Sequence, residues 1–260
     1  MAATMALLLV RVSTVMALAP FFSGKVLPAK TKIVFTFAIC WLLAPVAAAA
    51  AASANGGKGI ELSFAGLLSE VAVGAIFGLT LSLLSEMLLI AGQIVGLQFS
   101  FSLVNLLDPA SDIQTPLMGD LFQLLATLVI ITAGLDRVLL ASLVRSVHAV
   151  PPGTFPLSAV PETARVLVPM LSGCFFAALE LAAPVLAATV LVEISVALMG
   201  KISPQLPVIS LTIPLKTLTG FGILIASLAL WPRFIEGRFS SLLDVAERLI
   251  AHGAATAGRG

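Results

Sequence analysis

The sequence predicts an all-α membrane protein with about five to six long, partly broken hydrophobic helices arranged as helical hairpins. Of its 260 residues, 59% are hydrophobic and only 10% are charged, whereas a soluble domain carries about 25% charged residues. Residues 33–57 and 87–107 contain no charged side chain, and about 20 apolar residues span the hydrocarbon core of a bilayer. Backbone amides exposed to lipid are costly, so such runs are expected to be helical.

The first hairpin is predicted over residues 4–52. Its turn contains Lys25, Lys30 and Lys32, and the excess of positive charge in cytoplasmic loops predicts that this turn lies in the cytoplasm. No positive charge precedes the first apolar stretch, and Arg11 lies in its middle. We therefore interpret this stretch as a retained helix rather than a signal peptide.

The next predicted element is a long helix followed by an Asp-Pro loop, over residues 62–116. Residues 62–107 contain no proline and would extend about 69 Å as one helix, more than twice a hydrocarbon core of about 30 Å. We expect this helix either to project far beyond the membrane or to break around Gly92 and Gly96.

A stripe of glycines follows one face of that helix. At helical spacing, Gly74, Gly78, Gly92 and Gly96 fall within about 40° of one another. Two of these pairs have the G-x-x-x-G spacing, which lets helix backbones approach closely in a membrane. The stripe fits either packing within this chain or docking to another subunit.

The remaining helices are predicted at residues 117–147, 164–199 and 208–231, the first of them interrupted by Gly134, Asp136 and Arg137. Residues 1–232 then form a single helical core, and residues 233–260 form an amphipathic helix with a flexible tail from His252. Six spans that start outside would leave the basic tail outside, against the charge bias. Some segments are therefore expected not to cross the bilayer as simple spans.

The sequence lacks the patterns of an enzyme or a metal site. His148 and His252 are isolated, and no phosphate loop, G-x-S-x-G or H-E-x-x-H pattern occurs. Cys40 and Cys174 are expected to pack as small apolar residues. We predict no catalytic residue and no cofactor, and a net charge of +1 gives no basic field for nucleic acid.

Ionisable residues within apolar segments are expected to be functional. We interpret the acidic ones as marking subunit contacts, aqueous cavities or positions above the membrane. The residues in question are Glu70, Glu86, Asp136, Arg137, Glu180, Glu193, Lys201 and Lys216.

Several strings, in one order along the chain, resemble the FliR family of flagellar export proteins, whose injectisome relatives are the SctT subunits. They are Arg11-Val12-Ser13, Leu27-Pro28-Ala29-Lys30-Thr31-Lys32, Glu70-Val71-Ala72-Val73-Gly74, Ala91-Gly92-Gln93-Ile94-Val95-Gly96-Leu97-Gln98, Asp108-Pro109, Ser203-Pro204-Gln205-Leu206-Pro207-Val208 and Ile213-Pro214-Leu215-Lys216.

The resemblance implies a FliP-like part fused to a FliQ-like part, in a complex with FliP- and FliQ-type subunits and an FlhB-type subunit. That complex would form a channel for unfolded flagellar proteins in the bacterial inner membrane, among membrane lipids, at the flagellar basal body. The resemblance also implies a pore plug near residues 100–116, with Leu103 and Leu106 where the family has phenylalanine, next to Asp108 and Pro109.

Subunit packing is predicted at the glycine stripe and at a few later positions. These are Gly74, Gly78, Gly92, Gly96, Gln98, Pro204, Gln205, Pro214 and Lys216. Three other functions stay open at this point. They are an injectisome SctT-type export subunit, a secondary transporter for a small solute, which broken helices and intramembrane charges would suit, and a structural membrane scaffold.

Overall fold

The computed structural model describes residues 2–19, 28–54, 62–99, 117–203, 205 and 208–257. Within these ranges every regular element is helical, which confirms the predicted all-α class. The α-helices are α1 (Ala2–Leu18), α2 (Ala29–Ala54), α3 (Phe64–Gln98), α4 (Leu117–Thr132), α5 (Leu135–Ala149), α6 (Val160–Ile202), α7 (Val208–Ser227) and α8 (Trp231–Ala257). Short 3₁₀ helices at Leu157–Ala159 and Leu228–Leu230 lead into α6 and α8.

Helices long and apolar enough to cross a membrane confirm that this is a membrane protein. The described residues contain four candidate spans, or up to five if the bent pair α4 and α5 forms one span. The four are Lys30–Ser53, Phe64–Gln98, Leu157–Ile202 and Ser210–Ala255. Helix α1 is apolar but shorter than a full span.

The chain divides into two compact units. The first comprises Met1–Ser85, Gly134–Leu171 and Gly237–Gly260, and the second comprises Glu86–Ala133 and Ser172–Glu236. Helices α3, α6 and α8 thus contribute residues to both units. The predicted division into a 1–232 core and a 233–260 tail stays a prediction.

In the first unit, α1 packs along α2, and α2 contacts α5. The C-terminal part of α8 adds an apolar face, because Phe239, Leu243, Ala246 and Ile250 recur at helical spacing and are buried. This helix continues to Ala257, past His252, where the sequence suggests a flexible tail. The amphipathic pattern explains the helix, since burial of one face stabilises it.

In the second unit, aromatic side chains connect the helices. Phe122 of α4 meets the indole ring of Trp231 edge to face, with ring centroids 4.5 Å apart. Phe99, directly after α3, stacks on Phe221 of α7 at 4.6 Å. Both geometries are favourable for aromatic pairs. The first pair joins α4 to the start of α8, and the second places the end of α3 against α7.

Two of the predicted helix interruptions have different outcomes. Helix α3 runs unbroken through Gly92 and Gly96 to Gln98, so the predicted break at these glycines is wrong. Its 35 residues correspond to about 52 Å. The interruption predicted at Gly134 is confirmed, because Gly134, in the left-handed region at φ 68°, separates α4 from α5 at a position where a side chain would be strained.

Prolines do not end the long helices. Helix α6 has 43 residues and contains Pro169 and Pro184, while Pro45 lies inside α2 and Pro214 inside α7. Membrane helices tolerate proline because neighbouring groups satisfy the freed carbonyls. The fifth segment is therefore longer than the predicted 164–199.

Candidate functional site

A buried ion pair joins α1 to α3. The guanidinium of Arg11 donates from Nε to Oε2 of Glu70 at 2.6 Å and from Nη2 to Oε1 at 2.9 Å. Their side chains are 1% and 0% exposed. Arginine presents a planar fork that matches a carboxylate with two parallel hydrogen bonds, so this is the strongest form of such a pair.

Further polar groups satisfy the two charges. Arg11 donates from Nη1 to Oγ of Ser146 at 3.3 Å and from Nη2 to the carbonyl of Val150 at 3.1 Å. The backbone N–H of Gly153 donates to Oε1 of Glu70 at 2.7 Å. We call these five residues the Arg11 network. It fastens α1, α3, the end of α5 and the loop after it within the first unit.

The Arg11 network corrects one sequence interpretation. Glu70 was interpreted as marking a subunit contact, a cavity or a position above the membrane, but it is fully buried against Arg11. A charge in an apolar segment usually pairs with another. The opposite charges on the first and third predicted segments therefore indicate that an ion pair could form between them. Which two would meet depends on helix packing, which the sequence does not state.

Chemically, the Arg11 network neutralises charge rather than activating a group. Both partners are buried, and each guanidinium nitrogen of Arg11 and each carboxylate oxygen of Glu70 has a hydrogen-bond partner, so the arrangement positions helices in a medium of low dielectric constant. Within the part of the chain that the structure describes, no group of three or more His, Cys, Asp or Glu side chains could hold a metal ion. The thiols of Cys40 and Cys174 are buried.

The first half of the glycine stripe faces α1. A Cβ added at Gly74 would lie 2.7 Å from the carbonyl oxygen of Arg11 and 2.7 Å from Cβ of Thr14. A Cβ at Gly78 would lie 2.5 Å from Cβ of Leu18. Real Cβ atoms do not approach so closely, so these glycines allow α1 to lie directly on α3.

The second half of the stripe faces α4. A Cβ at Gly92 would meet backbone Cα and N of Gly119, each at 2.5 Å, whereas a Cβ at Gly96 would lie in ordinary contact with Met118 at 3.6 Å. Packing within the chain thus explains the need for glycine at Gly74, Gly78 and Gly92. A role of the stripe in subunit packing stays a prediction.

The C-terminal end of α3 is held by α6 and α7. The hydroxyl oxygen of Thr189 lies 3.3 Å from Oε1 of Gln98 and 2.9 Å from the carbonyl oxygen one turn earlier in its own helix, and the ring of Phe99 stacks on Phe221. A Cβ at Gly220 would lie 2.1 Å from Cε1 of Phe99. The ring therefore occupies the space that the missing side chain of Gly220 leaves, and these five residues hold the end of α3 against α6 and α7.

Lys216 forms an ion pair with Glu193 in the second unit, between Nζ and Oε1. The lysine side chain is 9% exposed, whereas the Glu193 side chain is 50% exposed. A pattern read along one helix does not indicate this partner, because Glu193 lies on α6 and Lys216 on α7. The predicted packing residue Pro214 lies inside α7, half a turn before Lys216, and Gln205 is exposed in a turn before α7.

The predicted plug lies outside the described residues. Leu103, Leu106, Asp108 and Pro109 fall within residues 100–116, and Pro204 is likewise not described. Of the predicted site residues, the structure thus places the four glycines, Gln98, Gln205, Pro214 and Lys216. It adds Arg11, Phe99 and Gly220, whose contacts depend on segments distant in sequence.

Comparison with known proteins gives one consistent result. A family model described as bacterial export proteins, family 1, matches residues 2–242. The chain is 26% identical over 246 residues to the flagellar biosynthetic protein FliR of Escherichia coli strain K12, covering 94% of this chain and 91% of that protein.

Two further relatives carry the same name. The flagellar biosynthetic protein FliR of Bacillus subtilis strain 168 is 25% identical over 252 residues, which are 94% of this chain and 93% of the relative. That of Caulobacter vibrioides is 24% identical over 246 residues, which are 92% of this chain and 94% of the relative. The similarity therefore extends over nearly the whole length of each protein.

Proposed function

This chain belongs to the bacterial export proteins of family 1, and we propose that it is a non-enzymatic subunit of a flagellar type III protein export gate. The assignment confirms the resemblance predicted from the sequence, since the relatives reported above are FliR proteins. The observation on which the proposal rests is the family match over residues 2–242 together with the apolar helices of a membrane protein.

In this proposal the chain walls part of a channel in the bacterial inner membrane, at the flagellar basal body. Its neighbours are FliP-type, FliQ-type and FlhB-type subunits, and its substrates are unfolded flagellar proteins. Exposed large apolar side chains on α6 and α7 support such neighbours or a lipid surrounding. Examples are Leu191, Ile194, Leu198, Leu211, Leu215 and Leu218.

We place the pore plug at residues 100–116, as the resemblance implies. A closed apolar constriction excludes water and ions by dewetting, and Leu103 and Leu106 provide bulky apolar side chains. The fixed end of α3 supports this proposal, because the stacking of Phe99 on Phe221 gives the segment a defined starting point. In this proposal an arriving polypeptide displaces the leucine side chains.

The plug is tested by replacing Leu103 and Leu106 together with serine in cells that express all gate subunits. We expect higher ion leakage, measured as membrane conductance or loss of membrane potential, because small polar side chains wet the constriction. Leu68→Ser, at an exposed position of α3, is the matched control and should leave conductance unchanged. Unchanged leakage in a double variant that accumulates normally would contradict the plug.

Assembly is tested by co-expression with FliP- and FliQ-type subunits from the same organism. We expect one stable complex that survives detergent extraction and size-exclusion chromatography. Injectisome subunits in place of the flagellar ones serve as the comparison and should associate less well. If the chain purified alone, bound neither the flagellar nor the injectisome subunits and bound a small solute, the result would instead support a secondary transporter.

A further inference from the structure

A groove lies between α1 and α2 in the first unit. It has a volume of about 350 Å³, which is within the range of about 300–1,000 Å³ typical of ligand sites. Its apolar lining includes Leu9 and Met16 of α1 and Ile33 and Phe37 of α2. Lys32 also lines the groove. Ile33 is 68% exposed and Phe37 is 51% exposed, so the groove opens on the α2 side.

The polar side chains in the groove do not change its apolar character. The hydroxyl of Ser13 donates to the carbonyl of Val10 at 3.0 Å, and that of Thr36 donates to the carbonyl of Lys32 at 2.8 Å. Both hydroxyls are thus directed to the backbone of their own helices. What remains for an occupant is a surface of methyl, methylene and aromatic groups, which a hydrocarbon chain matches.

The charged side chains of the α1–α2 hairpin are all basic. Lys30 and Lys32 both lie in the first turn of α2, whereas the first acidic residue of the whole sequence is Glu61. The hairpin of α1 and α2 therefore contributes no carboxylate of its own. A lysine next to lipid-exposed apolar surface attracts the phosphate of an anionic headgroup.

We infer that this groove binds an anionic phospholipid, with an acyl chain along the apolar lining and the headgroup phosphate at Lys32. Lipid is the expected occupant because α2 is a candidate span and its exposed face is apolar. Phe37 and Trp41 form a tilted ring pair on that face, with centroids 6.5 Å apart. The combination of a hydrocarbon groove and an adjacent basic cluster fits a phospholipid better than a free phosphate or a soluble peptide.

The first test is native mass spectrometry of the purified full chain released from detergent with equimolar phosphatidylglycerol and phosphatidylcholine of identical acyl chains. We expect phosphatidylglycerol to be retained about fivefold more, and Lys32→Gln to remove that preference, since one lysine near an anionic headgroup contributes about that factor. Lys201→Gln, at an exposed lysine of α6, should keep it. Equal retention of the two lipids by the unmodified chain would overturn the inference.

A second variant tests the hydrocarbon part of the site. Ala17 lines the groove and is exposed, so Ala17→Trp should fill the groove and reduce retention of both lipids. Ala52→Trp, at an exposed position near the end of α2, should reduce neither. If Ala17→Trp retained both lipids as well as Ala52→Trp does, the groove would not be the site.

A third experiment distinguishes lipid from a protein neighbour. A photoreactive benzoyl-phenylalanine in place of Phe37, in the assembled gate within membranes, should yield a cross-linked phospholipid. A cross-link to another polypeptide would overturn the inference, because the groove would then be a subunit contact. These readouts do not depend on export activity, so their failure leaves the proposed export function untouched.

Discussion

Replacing Arg11 with methionine should destabilise the chain by about 3–5 kcal/mol, because it leaves the carboxylate of Glu70 buried and unpaired. Methionine fills a similar volume but offers no positive charge, and Glu70 would retain only the N–H of Gly153 as a donor. We expect a much lower midpoint of thermal unfolding in detergent and poor accumulation in cells. Glu70→Leu should produce a comparable loss, since it leaves the guanidinium of Arg11 unpaired.

The double variant Arg11→Met with Glu70→Leu should recover much of that stability, because both charges are removed together. Recovery should be incomplete, since the carbonyl of Val150 and the N–H of Gly153 lose partners at about 1–3 kcal/mol each. Ser146 keeps its bond to the carbonyl of Leu143 at 2.7 Å.

The matched control for the ion pair is Arg165→Met. Arg165 pairs with Glu162 at 3.4 Å on the surface, where the side chains are 80% and 64% exposed, and such pairs contribute about 0–1 kcal/mol. Its unfolding midpoint should therefore stay close to that of the unmodified chain. If Arg11→Met were as stable as Arg165→Met, the buried network would not hold the helices as described.

Replacing Gly92 with alanine should destabilise the second unit by about 1–3 kcal/mol, because the added methyl group meets backbone rather than a movable side chain. The new Cβ would lie 2.5 Å from Cα and N of Gly119, so α3 and α4 would have to separate. We expect a lower unfolding midpoint in detergent.

Gly96→Ala is the matched control, on the same helix and one turn later. Its Cβ would lie at an ordinary 3.6 Å from Met118, and alanine favours a helix over glycine by about 1 kcal/mol. Its unfolding midpoint should be unchanged or higher. Equal destabilisation by both variants would contradict the packing of Gly92 on Gly119. Loss of complex formation in Gly96→Ala, without loss of stability, would support the predicted subunit packing.

The fold class could be predicted because the solvent determines it. Long uncharged runs require lipid, and lipid requires helices, so the helical elements follow from composition. Gly134 also signalled the interruption between α4 and α5, since it has the left-handed φ that other residues avoid. Element ends were less predictable. Proline in α6 suggested breaks, yet a membrane helix tolerates it.

Most contacts of the candidate site could not be predicted from the sequence. Arg11 and Glu70 are 59 residues apart, and nothing local indicates which of several buried charges each would meet. Glu193 and Lys201 share a helix, but the ion pair of Glu193 is with Lys216 on the next helix. Periodicity describes one helix at a time, whereas these pairs are set by the packing of several helices.

The Arg11 network also bears on how the chain enters the bilayer during synthesis. An arginine near the centre of a helix raises the free energy of insertion by about 2.5–3.5 kcal/mol, so α1 inserts poorly by itself. Its counter-charge emerges 59 residues later, which takes roughly 3–12 s at about 5–20 residues per second. Helix α1 therefore reaches its final position after α3 has been translated. The hydrogen bonds to Ser146 and from Gly153 complete the Arg11 network later still.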